Sequence, residues 1–221
     1  MTRFFRDNGL SVVLAVLFLG LLVGQSVAGM VQYNEEQEDH GEPTVSYTAY
    51  LATPHFGEAV FENWESEFLQ MGSYIFLTLF LYQRGSAESK DPDAPGETDA
   101  ELAAHRDDPD VPGPVRRGGL ALALYRYSLA LAFLVLFAAS FVGHAVTGLG
   151  LYNAEQAAHG EPTTDLAGYL GGSRFWFESL QNWQSEFLAV LAIVVLSVWL
   201  RADGSPESKA VWEPHRKTGS D

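Results

Sequence analysis

The sequence contains no cysteine, and its basic residues are few. The absence of thiols excludes disulfide bonds, thiolate metal sites and thiol redox chemistry. Only 13 lysine and arginine residues stand against 28 aspartate and glutamate residues, which gives a formal net charge of −15. A balance this acidic disfavours nucleic acid as a partner. We interpret it as a solvated acidic surface.

Four apolar runs interrupt this polar background and predict an integral membrane protein. Residues 10–30 and 129–151 are each long enough to cross a bilayer, which takes about 20 residues. The other two runs, 68–82 and 187–200, hold only about 15 residues, so these spans must begin among the polar residues that precede them. We expect an all-α four-helix bundle in a lipid bilayer, with transmembrane helices at residues 10–32, 64–83, 122–151 and 181–201.

The basic residues predict how these spans are oriented. They flank the spans on the side of the termini and of residues 91–117: Arg3, Arg6, Arg84, Lys90, Arg116, Arg117, Arg126, Arg201, Lys209, Arg216 and Lys217. The segments 33–65 and 152–184 contain a single lysine or arginine, Arg174. Because cytoplasmic loops carry the excess of positive charge, we expect both termini and the linker to be cytoplasmic in a plasma membrane, with the two segments outside.

Residues 33–90 match residues 152–209 without a gap, and 25 of the 58 positions are identical. Such a match predicts an internal duplication. We expect tandem repeats at residues 1–90 and 118–221, each with two spans in the same orientation, related by a pseudo-twofold axis along the membrane normal. Residues 91–117 are acidic and rich in proline, which predicts a flexible linker with a short helical turn near residues 100–105.

The first span has two further features. Its basic start, apolar run and Ser26-Val27-Ala28 segment resemble a signal peptide, but it matches the internal third span, so we expect it to be retained. Gly20 and Gly24 form a small-residue step that recurs as Ala139 and Gly143. Small residues four apart let helices approach closely, which predicts that the first and third spans pack together there.

The first motif is Tyr-Asn-x-Glu-Gln-x-x-His-Gly-Glu-Pro, at residues 33–43 and 152–162. We expect the first span to continue as helix beyond the membrane until Gly41 and Pro43 stop it. A carboxylate, an imidazole and a second carboxylate suit a divalent metal or another cation. The candidate ligands are Glu36, His40, Glu42, Glu155, His159 and Glu161. The alternative, which we favour, is a polar network that holds the helix end and the loop after it.

The second motif is Asn-Trp-x-Ser-Glu-Phe-Leu, at residues 63–69 and 182–188. Counting from the inner boundary puts Glu67 and Glu186 below the headgroups, where a carboxylate needs a partner. We predict the pairs Gln25–Glu67 and His144–Glu186. Four neighbours would assist them: Asn63, Ser66, Asn182 and Ser185. Such pairs act either as polar contacts between helices or, for the His–Glu couple, as a proton-handling site.

The third motif is Gly-Ser-x-Glu-Ser-Lys, at residues 85–90 and 204–209. Gly85 and Gly204 suit the end of a helix. Four charged residues recur beside them: Glu88, Lys90, Glu207 and Lys209. The motif lacks the glycines of a phosphate-binding loop, so no nucleotide is expected.

Together the three motifs on four spans resemble a prokaryotic family of small membrane proteins described only as a domain of unknown function. The resemblance implies membrane location and no particular activity. We therefore expect a non-enzymatic binding or assembly module without catalytic residues. Two alternatives stay open: a proton- or cation-coupled transport component, whose pathway would require a homodimer, and a metal-dependent membrane enzyme whose two first-motif triads meet at one centre.

Overall fold

The computed structural model describes residues 3–93, 99–106 and 108–219, with only the backbone of residues 99 and 100, and all regular elements in these ranges are helices. They are α1 (Arg3–Asp39), α2 (Tyr47–Tyr50), α3 (Pro54–Leu77), α4 (Asp99–Ala104), α5 (Gly113–Arg117), α6 (Gly119–Arg126), α7 (Ser128–Ala158), α8 (Leu166–Gly171) and α9 (Ser173–Leu196). The predicted all-α class is confirmed. The short α4 lies where the linker was expected to form a helical turn.

Three of the helices in the described ranges are long and apolar enough to cross a membrane: α1, α7 and α9. The predicted second span overlaps α3, which has 24 residues but is not among these three. Four glutamates in its first fourteen residues, Glu58, Glu62, Glu65 and Glu67, lower its apolar character. The fold therefore fits a membrane protein, and the second span, which would bring the number of spans to four, stays a prediction.

Several helix limits differ from the predicted spans. α3 begins at Pro54 rather than residue 64, because proline suits the first position of a helix and the hydroxyl of Thr53 accepts the amide of Phe56 at 3.2 Å. α9 begins at Ser173 rather than residue 181. The predicted span at 122–151 is interrupted at Tyr127, whose φ of −110° and ψ of 10° separate α6 from α7.

The chain divides into two compact units. The first comprises Met1–Phe61 and Gly143–Gly172, and the second comprises Glu62–Val142 and Ser173–Asp221. Each unit therefore contains parts of both predicted repeats, whose limits at residues 90 and 118 stay predictions. The linker residues 94–98 and 107 lie outside the described part of the chain.

In the first unit, two buried tyrosines pack onto glycines in the long helices. Tyr50 and Tyr169 are 1% and 3% exposed. A Cβ atom built on Gly29 would lie 2.2 Å from the Tyr50 hydroxyl oxygen, and one on Gly148 would lie 2.4 Å from that of Tyr169. Both contacts need a glycine, since real Cβ atoms do not approach so closely. Matching tyrosines in the two copies are thus buried in the same way, each against a matching glycine.

The expected close contact between the first and third spans is wrong at Gly24, where a Cβ atom would meet no atom of the first unit within 4 Å. The contact expected at Gly20 would involve Ala139 of the second unit and stays a prediction. At the recurring position in α7, a Cβ atom on Gly143 would lie 2.5 Å from the ring of Phe61 in α3. In the first unit, the glycines of the long helices therefore make room for aromatic rings. These rings come from α2, α3 and α8.

Candidate functional site

The first motif ends both long helices by the same backbone turn. Gly41 and Gly160 have φ values of +76° and +71°, in the left-handed region that glycine adopts without strain. The amide of the following glutamate then reaches back five residues: Glu42 donates to the carbonyl of Gln37, and Glu161 donates to that of Gln156, both at 2.8 Å. This pattern satisfies carbonyl groups that a helix end would otherwise leave unpaired. The predicted stop of the first helix at Gly41 is confirmed.

The motif histidines also bind these helix ends. The Nδ1 atom of His40 lies 2.7 Å from the carbonyl oxygen of Glu36, and that of His159 lies 2.8 Å from the carbonyl oxygen of Glu155. A carbonyl oxygen can only accept, so each Nδ1 must carry the proton and donate it. In the neutral ring, Nε2 is then the nitrogen with a lone pair.

The motif asparagines hold the segment that follows each turn. The side chain of Asn34 donates to the carbonyl of Val45 at 3.0 Å and accepts the Val45 amide at 2.8 Å. Asn153 makes the same two bonds to Thr164, both at 2.9 Å. Each asparagine replaces a backbone partner for one residue of the returning chain. The polar network that we favoured for this motif therefore describes its asparagines and histidines in both copies.

The two copies of the motif meet at their histidines. The rings of His40 and His159 lie with their centroids 6.3 Å apart and at 76° to each other, and both rings are exposed. The metal site predicted from Glu36, Glu42, Glu155, Glu161 and these two histidines stays a prediction. Among the described residues, no cluster of three potential ligands within 4.8 Å of one another includes either ring.

An acid–imidazole pair with a buried histidine also lies in the first unit. His144 is fully buried, and a carboxylate oxygen of Glu58 in α3 lies within 4.8 Å of one of its ring nitrogens. Sequence comparison between the repeats missed Glu58, because Phe177 stands at the matching position. The sequence offers no signal that separates Glu58 from the other glutamates of α3.

The second unit contains the polar residues of the second motif. Asn182 donates to a carboxylate oxygen of Glu62 at 2.6 Å, and Gln70 donates to the backbone carbonyl of Glu186 at 3.1 Å. The charges of Glu67 and Glu186, which occupy matching positions, are close enough to interact. Sequence analysis missed Glu62 and Gln70, since neither residue recurs in the other copy.

The motif serines bind their own helices. Ser66 donates to the carbonyl of Asn63, and Ser185 donates to that of Asn182, both at 2.8 Å. Ser66 is buried, whereas Gln25 is exposed. The predicted pairs Gln25–Glu67 and His144–Glu186 each join a residue of the first unit to one of the second, and they stay predictions.

The third motif forms the same small loop twice. Gly85 and Gly204 have φ values of +86° and +80°. Within each loop, two serine hydroxyls accept backbone amides: Ser89 from Gln83 at 2.9 Å, Ser208 from Ala202 at 2.9 Å, Ser86 from Glu88 at 3.1 Å and Ser205 from Glu207 at 3.2 Å. The recurring serines and glycines therefore build the turn after α3 and the turn after α9.

The recurring lysines of the third motif have different surroundings. Lys90 is exposed, whereas Lys209 is 1% exposed. The ammonium group of Lys209 lies within hydrogen-bond distance of four backbone carbonyl oxygens, those of Gly85, Val198, His215 and Lys217, among which it shares its three protons. Burial lowers the pKa of Lys209, and the nearby Arg201 charge lowers it further. This lysine ties the turn after α3 and the end of α9 to the C-terminal tail.

The recurring glutamates of the third motif lie near each other. The hydroxyl of Tyr74 donates to a carboxylate oxygen of Glu88 at 3.1 Å. Burial raises the pKa of Glu88, and the carboxyl group of Glu207 raises it further through a hydrogen bond and charge repulsion. Two carboxyl groups in contact favour sharing a proton.

Comparison with known proteins gives one match. The model of a family described as a domain of unknown function (DUF6766) matches residues 1–220 of the chain. The comparisons with curated proteins and with solved structures find no match.

Replacing Lys209 by methionine tests the buried carbonyl cage. Lys209→Met keeps the volume but removes the donor that four carbonyl groups share, two of them in buried contacts, which we expect to cost about 1–3 kcal/mol. The expected result is a lower Tm in detergent and faster proteolysis within residues 210–219. Lys90→Met, at the matching exposed position, is the control and should change neither property. Equal behaviour of the two variants would contradict the structural role of Lys209.

Proposed function

Because the chain belongs to the DUF6766 family, a domain of unknown function, we propose its role from its own residues: it is a binding or assembly module of the plasma membrane that catalyses no reaction. In this proposal α3 also crosses the membrane, as the second of four spans. The two repeats run in parallel, and the termini and linker are cytoplasmic. The basic residues that flank the spans on one side support this orientation. The three helices of membrane length support membrane location.

One observation carries the proposal. Both copies of the first motif use their asparagine and histidine on backbone hydrogen bonds, at distances between 2.7 and 3.0 Å. Side chains that are engaged in this way fix the shape of a turn and are not available as acids, bases or nucleophiles at Nδ1 or at the amide. The motif therefore supplies a rigid support, which suits a binding surface better than a reaction centre.

The carboxylates of the same motif remain on the surface of these turns. Glu36, Glu42 and Glu161 are exposed, and Glu155 is partly exposed. We call these four residues the acidic rim. A rigid acidic surface favours partners with basic groups and accelerates their association. A basic segment of another membrane protein fits this chemistry, and a second copy of this chain is the other arm of the test.

A crosslinking experiment in native membranes tests the acidic rim. A photoreactive amino acid is placed at Glu38 or at the matching Ala157, both exposed in the first motif. We expect discrete adducts in wild-type background and loss of most of the adduct when the four rim glutamates are changed to glutamine, because charge attraction then disappears. A photoreactive residue at exposed Arg84, in the turn after α3, is the matched control.

The products of this experiment distinguish the partners. An adduct of twice the mass of the chain identifies a homodimer, and another defined mass identifies a different protein. Absence of discrete adducts at positions 38 and 157, or adducts that persist after all four glutamates are neutralised, would contradict the proposal.

A second candidate function is proton- or cation-coupled transport. It is favoured by two observations on carboxylates in the long helices α3 and α9: the Glu67 and Glu186 charges interact within the second unit, and Glu58 lies beside fully buried His144 within the first. Ionisable residues in membrane helices mark ion pathways in many proteins.

Flux through proteoliposomes tests this second candidate. If the protein conducts or exchanges protons, Glu186→Gln should abolish the flux, because the amide cannot bind and release a proton at neutral pH. Asp203→Asn, which changes an exposed carboxyl group in the turn after α9, is the control. No flux in the wild type, or the same flux in Glu186→Gln, would remove the transport function and leave the binding function untouched.

A further inference from the structure

We propose that His40 and His159 together bind one transition-metal ion of the zinc, nickel or copper class, at the point where the ends of α1 and α7 meet. The site joins the two copies of the first motif through their histidines. It goes beyond the binding function proposed above and does not depend on it.

The first argument is the state of the two rings. Each Nδ1 donates its proton to a backbone carbonyl, at 2.7 Å for His40 and 2.8 Å for His159. Metal-binding histidines in proteins commonly donate one ring N–H to a backbone carbonyl in this manner, which orients the ring and makes the other nitrogen a better ligand. Both rings therefore present an Nε2 lone pair before any ion arrives.

The second argument is the distance between the rings. An ion bound to an imidazole nitrogen at about 2.0–2.1 Å lies about 3.2 Å from the centroid of that ring. Two rings can therefore share one ion when their centroids are separated by up to about 6.4 Å. The centroids of His40 and His159 are 6.3 Å apart, close to this limit. An ion shared at this separation would have the two nitrogens on nearly opposite sides, which suits square-planar copper or nickel. Tetrahedral zinc requires a shorter separation, which rotation of the two exposed side chains must supply.

The third argument is the choice of ligands, which determines the class of metal. Imidazole suits zinc, nickel and copper, whereas calcium and magnesium require oxygen ligands. No described carboxylate completes a three-ligand cluster with either ring within 4.8 Å, so water molecules would occupy the remaining positions. The exposed carboxylates of Glu42 and Glu161 lie two residues after the histidines in the chain and raise the local concentration of cations.

Metal titration of the full-length chain, purified in detergent without a polyhistidine tag, tests the site. With ZnCl₂ we expect one ion per chain in calorimetry and a rise of Tm on saturation, since the ion binds only the folded protein. His40→Ala and His159→Ala should each weaken binding on the order of 10²-fold, because the second ligand no longer benefits from the effective concentration of a chelate. With CuSO₄, electron paramagnetic resonance should detect two imidazole nitrogens in the wild type and one in each variant.

A matched control separates the proposed site from histidine loss in general. His105→Ala removes an exposed histidine of the linker and should change neither Tm nor zinc affinity. Zinc affinity that is equal in the wild type and in both histidine variants, or a copper spectrum with oxygen ligands only, would overturn the proposal.

Discussion

The structure depends on the requirement that the last carbonyl groups of a helix must find donors when the helix leaves an apolar environment. α1 and α7 end in the same glycine turn, with a histidine ring on one of the last carbonyls. The C-terminal end of α9 is satisfied differently: the ammonium group of Lys209 binds the carbonyl of Val198, two residues beyond the helix. Glycine, histidine and lysine thus perform one physical task, because unpaired carbonyl groups are costly where water is scarce.

This requirement explains why the recurring residues are mostly polar. Asn34 and Asn153 each pair with both backbone groups of one residue in the returning chain. Ser89 and Ser208 each accept the backbone amide that begins the turn after α3 or α9. In these positions a polar side chain substitutes for secondary structure, so it is as restricted as a core residue. The exposed carboxylates of the first motif and the Nε2 atoms of His40 and His159 remain for a partner or an ion.

The sequence predicts the features that depend on neighbours along the chain. The helical class and the stop of α1 at Gly41 are examples, because they follow from apolar runs and from the conformational freedom of glycine. It predicts poorly where a distant residue decides. Glu58 lies beside His144 although nothing in the other copy corresponds to it. Lys90 and Lys209 occupy matching positions, but only Lys209 is enclosed, because the C-terminal tail lies against its loop and supplies two of its four acceptors.

The central claim is that the motif asparagines hold the turns after the two long helices, and amide hydrogen exchange measures this most directly. The account predicts slow exchange at the amides of Val45 and Thr164, which donate to Asn34 and Asn153 at 2.8 and 2.9 Å. Asn34→Ala should accelerate exchange at Val45 alone, and Asn153→Ala at Thr164 alone. Fast exchange at both amides in the wild type, or exchange that neither substitution changes, would contradict it.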